Sequence, residues 1–268
     1  MKMSTQTGRV AVALAMLTAG TAAAQIAGVI TTSEGRKIEG VIKWKVREKA
    51  YAITAKGGNV ELEMSPANIS DVQIPRPKEL DAAIANMNQG NAAAAIPVLE
   101  KLANDYLMLQ WDKPATRLLA EAYVASGNAD KARQVCEKVI AANPEAAYLG
   151  EMAPAYWKAL LKSGRVTKVE DLMAKAIKSG DRAASASALI MRGDVILAGG
   201  ETNENAKKAL RDGFLRVITL YKSEKDVQPE ALYKAAKCFD NLGQSSRADQ
   251  MRTALKSEYG SSEWAHKR

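Results

Sequence analysis

The first stretch with a clear pattern, residues 26–74, alternates apolar and polar positions. The apolar members of the alternation are Ile38, Ile42, Trp44 and Val46, followed by Val60, Leu62 and Met64. A period of two marks strands with one buried face, and turn residues such as Gly57-Gly58 separate the runs. The pattern predicts five strands, at residues 26–32, 37–46, 49–55, 59–64 and 69–74, with a single helical turn at 65–68.

From residue 78 onward the apolar period becomes helical, and Ala dominates the buried positions. Pro75 and Pro77 end the last strand and stiffen the linker over residues 74–77, so the boundary between two regions belongs there. Self-similar units follow, each with a turn between two helices. We predict five helix pairs, at residues 76–109, 113–146, 150–183, 186–222 and 229–262.

The second of these units carries the most regular motif. Its motif positions are Thr116, Leu119, Ala120, Tyr123, Ala132, Cys136 and Pro144. They fall at the spacing W-x2-L-G-x2-Y…A-x3-F…P, with Thr at the Trp position, and the unit therefore resembles the tetratricopeptide repeat (TPR) family. The resemblance implies an α-solenoid in which the first helix of each pair lines a concave face.

Small residues belong where the two helices of a pair cross, since a larger side chain would force the backbones apart. Ala120, Gly193 and Ala236 meet this need, whereas Trp157 departs from it in the third pair.

The five short strands, with one helical turn before the fifth, resemble an SH3-like or Sm-like small barrel. The expected fold is therefore α+β and mainly α. A five-stranded β barrel over residues 25–75 precedes an α-solenoid of about five TPR-like pairs over 76–268. So small a barrel is barely stable alone, and we expect it to pack on the helices that follow.

Sequence features near the two ends of the chain indicate the cellular compartment in which the protein works. Lys2 and Arg9 precede and flank an apolar run, and Ala22-Ala23-Ala24 supplies small residues for cleavage, so residues 1–24 are predicted to be a secretory signal peptide. No other segment approaches the length of a membrane span. The run 255–265 resembles the "L…Y-P-x-S-x-W-A" repeat endings of exported bacterial TPR proteins, with Gly260 in place of Pro. We therefore expect a periplasmic or outer-membrane-associated protein.

The composition excludes several kinds of catalytic site. The single histidine, His266, is the third residue from the end of the chain, where it is poorly placed for a catalytic triad or a histidine metal site. Zinc-ligand spacing, a phosphate loop and a G-x-S-x-G motif are all missing from the sequence. The sequence predicts no enzyme, no catalytic residue, no metal and no cofactor.

The charge distribution argues against one class of partner, and the two cysteines have an expected structural role. Removing Lys2 and Arg9 with the signal lowers the formal net charge from +8 to +6, and basic and acidic residues stay interleaved. A nucleic-acid partner is not expected, because binders of that class concentrate their basic residues beside aromatics. Cys136 and Cys238 are expected to be reduced and buried.

Known TPR ligands use positions 2, 5, 9, 12 and 13 of the first helix, which implies a partner-binding surface in this chain. The candidate binding residues are Arg117, Glu121, Lys158, Lys162, Asp194, Tyr233 and Lys237. The cations among them suit an acidic segment or a terminal carboxylate, and Tyr233 offers a flat contact.

Three functions remain open at this point. The first is an envelope scaffold or adaptor that binds a protein through the concave face. The second is a carbohydrate- or peptidoglycan-binding protein that uses the β module, with peripheral membrane association as a variant. The third is an enzyme of a type that the sequence does not identify.

Overall fold

The computed structural model describes residues 25–267, so the predicted signal peptide lies outside the described residues. The N-terminal part is one antiparallel sheet of five strands: β1 (Ile26–Thr32), β2 (Lys37–Lys45), β3 (Ala50–Ala55), β4 (Glu61–Met64) and β5 (Ile69–Gln73). The strand order is β4-β3-β2-β1-β5, and the predicted helical turn lies at Pro66–Asn68. All five strands lie where the alternation predicts them.

The sheet is open, and a closed barrel is not confirmed: β4 and β5 are its two edges. One transverse row of the register joins Ile26, Ile42, Ile53 and Leu62 across four strands. The ends of this row differ, because Ile26 is buried whereas Leu62 remains 45% exposed. Closure is not needed to bury most of this face, since residues of the helical region cover it.

The residues that cover the apolar face of the sheet lie in the turn between the second and third helices. Leu109 is fully buried in the core of the sheet. The Tyr51 hydroxyl donates to the Met108 carbonyl at 3.0 Å, and Trp111 Nε1 donates to the Ile74 carbonyl at 2.9 Å. Because these bonds join side chains to backbone across the linker, the sheet is held on this end of the helical array, as the size of the module suggested.

Helices occupy the rest of the described chain. Their bounds are α1 (Lys78–Asn88), α2 (Ala92–Asp105), α3 (Asp112–Ala125), α4 (Ala129–Ala142), α5 (Ala153–Lys162), α6 (Val166–Lys178), α7 (Arg182–Ala198), α8 (Asn203–Ala209), α9 (Leu215–Leu220), α10 (Gln228–Asn241), α11 (Ser245–Tyr259) and α12 (Glu263–His266). They form the five predicted pairs, in which α8 and α9 together make the second helix of the fourth pair. The short α12 then packs on α10 and α11.

Four of the five pairs reverse the chain in the same way, and the turn from α3 to α4 shows how. Gly127 has φ of +76°, a left-handed conformation that glycine adopts without a steric penalty. Its N–H donates to the Val124 carbonyl at 3.1 Å, and the Asn128 N–H donates to the Tyr123 carbonyl at 2.7 Å. These two bonds satisfy carbonyls at the helix end and reverse the chain, so that α4 returns along α3.

The third and fourth pairs depart from a regular repeat. In the third, Trp157 is fully buried, and its indole N–H donates to the Ala147 carbonyl at 2.8 Å. The large side chain is accommodated because Pro144–Ala147 forms a separate turn and α5 begins only at Ala153. In the fourth, Leu210–Phe214 forms one wide π-helical turn between α8 and α9.

The small residues expected at helix crossings are buried as predicted. Ala120 is fully buried, Ala236 is nearly so, and Gly193 lies directly against the Phe214 ring. Cys136 and Cys238 are buried free thiols, and burial raises their pKa to about 12 and about 11. This agrees with their expected role as small core side chains.

Candidate functional site

The first helices of successive pairs form one face of the array. α3 packs on α5 and α5 packs on α7, whereas α10 packs on α8 and α9. Charged side chains of α10 reach back to α7 and α5. We call the surface made by α3, α5, α7 and α10 the inner face. It carries all seven residues proposed from the sequence.

At one end of the inner face, Arg117 and Glu121 pair with each other. Their guanidinium and carboxylate groups are 3.0 Å apart, one helical turn along α3. Arg117 also lies 3.4 Å from the carboxylate of Glu151, which precedes α5. Arg117 is therefore engaged by two acids of its own chain.

The middle of the inner face is a cluster of four charges, Lys158, Asp194, Glu230 and Lys234, which we call the central charge cluster. Lys234 Nζ lies 2.6 Å from both the Asp194 and the Glu230 carboxylates. Lys158 Nζ lies 3.3 Å from Glu230. The cluster thereby ties α5 and α7 to α10, and its central members Glu230 and Lys234 each keep only 16% of the side chain exposed.

The two carboxylates of this cluster experience opposite net environments. Burial works against the ionised form of Glu230, but Lys234 and Lys158 outweigh it and hold its pKa below the ordinary value. Burial dominates at Asp194 and raises its pKa, which Lys234 only partly offsets. Burial also opposes the charged form of Lys158, yet the nearby carboxylates, Glu230 first, raise its pKa. Of the two carboxylates, Glu230 is therefore the one whose ionised form the cluster stabilises.

The remaining predicted residues are two exposed lysines and the half-buried Tyr233. Lys162 and Lys237 are exposed, and neither forms an ion pair with another residue in the range 25–267. Tyr233 packs on Trp264 with ring centroids 5.3 Å apart, and Lys237 Nζ lies 5.8 Å from the Tyr233 ring centre. A groove of about 370 Å³ opens beside these rings. Where α10 meets α12, aromatic surface therefore lies beside the exposed cation of Lys237.

The structure therefore divides the seven residues into two groups. Arg117, Glu121, Lys158 and Asp194 are held in ion pairs within the chain, whereas Lys162, Tyr233 and Lys237 flank or follow the central cluster with accessible surface. The sequence reasoning missed Glu230 and Lys234. Glu230 could have been found, because it occupies position 2 of its unit, and Lys234 follows it by one helical turn.

The described part of the chain offers neither a cluster of metal ligands nor a membrane-spanning helix. Between residues 25 and 267, no three His, Cys, Asp or Glu side chains come together in a way that could hold a metal ion. Within the same range, every helix is too short or too polar to cross a bilayer.

Comparison with known proteins identifies the repeats. Two family models described as tetratricopeptide repeat match the chain, one over residues 86–153 and the other over residues 230–262. The chain thus contains TPR repeats in the first half of the helical array and in its last pair. The segment between the two matches holds Trp157 and the π-helical turn, where the repeat is least regular.

Among solved structures, the chain is similar to a crystal structure of nearly identical TPR-like repeats from Podosopora anserina, described as kinesin light chain. The identity is 16%, the alignment covers 69% of this chain and 95% of that one, and the TM-score is 0.40. A second crystal structure, of a variant of the same repeats, gives 16% identity, the same coverage and a TM-score of 0.42. The search of curated proteins found no match.

Proposed function

We propose that the chain is a non-enzymatic adaptor of the bacterial cell envelope, exported and then periplasmic or associated with the outer membrane, which binds another protein along its inner face. TPR repeats generally mediate protein–protein interaction, and stacked helix pairs supply an extended binding surface. The observation that carries the proposal is that the exposed lysines Lys162 and Lys237, together with Tyr233, lie on the helices of the same face as the central charge cluster.

Two physical features favour binding at this place. The central charge cluster fixes α5, α7 and α10 relative to one another, so that a ligand meets a preorganised surface and less ordering is lost on binding. Tyr233 and Trp264 provide rigid aromatic area of the kind that dominates interface energetics. The exposed lysines Lys162 and Lys237 favour an acidic segment and should accelerate its encounter.

The test must avoid the charged residues that hold the fold together. Reversal of Lys158 to Glu would set a third carboxylate beside Glu230 and Asp194, and it would destabilise the array for reasons unrelated to a partner. The informative variant is therefore Lys162→Glu with Lys237→Glu. A matched control is Lys175→Glu with Lys207→Glu, which makes the same charge change on exposed positions of the second helices α6 and α8.

We expect crosslinked affinity capture from envelope extract to lose its specific partner with the inner-face double variant and to keep it with the control. Both variants should melt as the parent does, and capture should weaken at raised salt because exposed charges are screened. Equal capture by both variants would contradict the proposal. Co-sedimentation with isolated peptidoglycan, unaffected by the inner-face changes, would instead favour the sheet as a carbohydrate-binding module.

The proposal that the protein is exported depends on the sequence of residues 1–24 and is tested separately. We expect the native mature protein to begin at Gln25, after cleavage that follows Ala24. N-terminal sequencing of the protein from the envelope fraction measures this, and a native chain that begins at Met1 would contradict it.

A further inference from the structure

The sheet ends at an edge strand, β4, whose apolar side chains are not covered. Among the residues that the structure describes, β4 pairs only with β3, so no strand lies beside the N–H and C=O groups that point outward from Glu61–Met64. Val60, which precedes β4, is 71% exposed, and Leu62 is 45% exposed. An uncovered apolar edge is a place where another strand can add. The edge belongs to the sheet and is separate from the inner face, which helices form.

The apolar side chains of β4 continue the buried row of the sheet by one strand. Leu62 lies opposite Ile53 in the register of β3 and β4. Ile53 is fully buried in the core that Leu109 completes, whereas Leu62, one strand further out, remains exposed. A strand added beyond β4, with apolar side chains on this face, would cover Leu62 and form new cross-strand pairs with it.

The opposite face of β4 carries two acids at alternate positions. Glu61 pairs with Lys43 and Lys45, and Glu63 pairs with Lys45 alone. Both lysines come from β2 and reach across β3, where Ala52 leaves room for them. Glu63 keeps 49% of its side chain exposed and shares its one cation with Glu61. A strand added beyond β4 would set its own side chains directly opposite these acids, where a cation stabilises the pairing and an acid destabilises it.

The same acids argue against a second copy of this chain as the added strand. When β4 pairs antiparallel with itself, two registers join three of its residues and keep the apolar side chains on one face. These registers set Glu63 opposite either Glu61 or another Glu63. The other edge strand, β5, brings Asp71 to the same face and contains no lysine or arginine. Charge complementarity therefore favours a basic segment from another protein.

We propose that β4 binds an extended segment of a partner protein in which lysine or arginine alternates with apolar residues. The main chain of the segment pairs with the outward N–H and C=O groups of β4. Its apolar side chains cover Val60 and Leu62 on one face of the sheet, and its cations lie opposite Glu61 and Glu63 on the other. The segment needs about four residues, the length of β4.

The test uses synthetic peptides and the full mature chain. A short fluorescent peptide alternates valine with lysine, and a second peptide alternates valine with glutamate. Two further forms of the Val-Lys peptide are N-methylated, one at every valine and the other at every lysine, because alternate residues of a strand direct their amides to the same side. The protein variants are Leu62→Asp, Glu63→Gln and the matched control Leu220→Asp, which makes the same change at an exposed leucine of α9.

Fluorescence anisotropy should show that the parent binds the Val-Lys peptide about tenfold more tightly than the Val-Glu peptide. Leu62→Asp should weaken binding of the Val-Lys peptide about tenfold, although it adds an acid, whereas Leu220→Asp should leave binding unchanged. Glu63→Gln should reduce the preference for lysine about threefold. One N-methylated form should bind as the unmodified peptide does and the other should not bind, since only one set of amides faces β4. All three variants should melt as the parent does.

Three binding results would overturn the inference. They are no binding of the Val-Lys peptide to the parent, equal binding to the parent and to Leu62→Asp, and equal binding of all three forms of the Val-Lys peptide. The last would show that charge attracts the peptide without strand pairing. Sedimentation of the parent alone tests the second copy, and a dimer that Leu62→Asp abolishes would also overturn the inference. None of these measurements involves Lys162 or Lys237, so this proposal and the inner-face proposal fail separately.

Discussion

Gly193→Ala tests how closely the two helices of the fourth pair approach each other. Gly193 lies near the middle of α7, and a Cβ atom added there would lie 2.4 Å from both Cε1 and Cζ of Phe214. Ordinary contact begins near 3.5 Å, so the added carbon overlaps the ring by about 1 Å. Phe214 is fully buried, and its ring has no open space into which it could move without disturbing other core residues.

The expected magnitude is the difference between two opposing terms. Overpacking a well-filled core costs about 1–3 kcal/mol, and the severe overlap places this position toward the upper end. Replacing glycine by alanine inside a helix returns up to about 1 kcal/mol. We therefore expect Gly193→Ala to destabilise the protein by about 1–2 kcal/mol, which corresponds to a fall in Tm of about 2–8 °C.

Urea unfolding followed by circular dichroism measures this loss of stability. A double-mutant cycle tests whether the loss comes from the contact with Phe214. Phe214→Leu alone should cost about 1–3 kcal/mol, because it leaves part of the ring volume empty. In the double variant the new methyl group enters that space. The double variant should therefore lose at least about 1 kcal/mol less stability than the sum of the losses in the two single variants.

Gly199→Ala is the matched control. Its φ is −75°, and the atom nearest to an added Cβ is 3.3 Å away. A change within about 0.5 kcal/mol is expected at such a position. If Gly193→Ala instead stabilised the protein by the full helix-propensity gain, the close approach of α7 to the π-helical turn would be wrong.

Three further expectations follow from the core and from the central charge cluster. Glu230→Gln should cost about 1–3 kcal/mol at neutral pH, and Asp194→Asn less, because the pKa of Glu230 is lowered whereas that of Asp194 is raised. A lowered folded-state pKa adds stability above the unfolded value and loses it as pH falls. The Glu230→Gln deficit should therefore vanish in acid unfolding curves, and a deficit that persists would contradict the cluster. Tyr123→Ala should cost about 3–5 kcal/mol, and Ala120→Leu should also destabilise by overpacking; unchanged melting of both would refute the repeat register. Cys136, with a pKa of about 12, should react with maleimide only after unfolding, and rapid labelling of the native protein would contradict its burial.

Local periodicity was enough to predict the elements of this fold. The strand alternation located β1 to β5, and the small residues Ala120 and Gly193 located helix crossings, because both signals depend on neighbours close in sequence or one turn away. Barrel closure was different. Whether an apolar sheet face is buried by its own curvature or by another element depends on Leu109, which no alternation in residues 26–74 could reveal.

The candidate site shows the same division between local and long-range information. Repeat positions placed Lys158 and Asp194 on one common face, since helix position determines orientation. They did not reveal that Glu230, far along the chain, lies 3.3 Å from Lys158. Pairing between non-adjacent repeats depends on the position of α10 relative to α7 and α5. That position depends on the fourth pair, which is irregular and has no fixed repeat spacing.

Site-specific photocrosslinking in living cells measures the central claim most directly. A photoreactive amino acid replaces one lysine at a time, at Lys162 or Lys237 on the inner face and at Lys175 or Lys207 on the second helices. The account predicts a discrete protein adduct from the two inner-face positions and none from the other two. Adducts that form equally from all four positions, or only from Lys175 and Lys207, would contradict the assignment of the inner face as the binding surface.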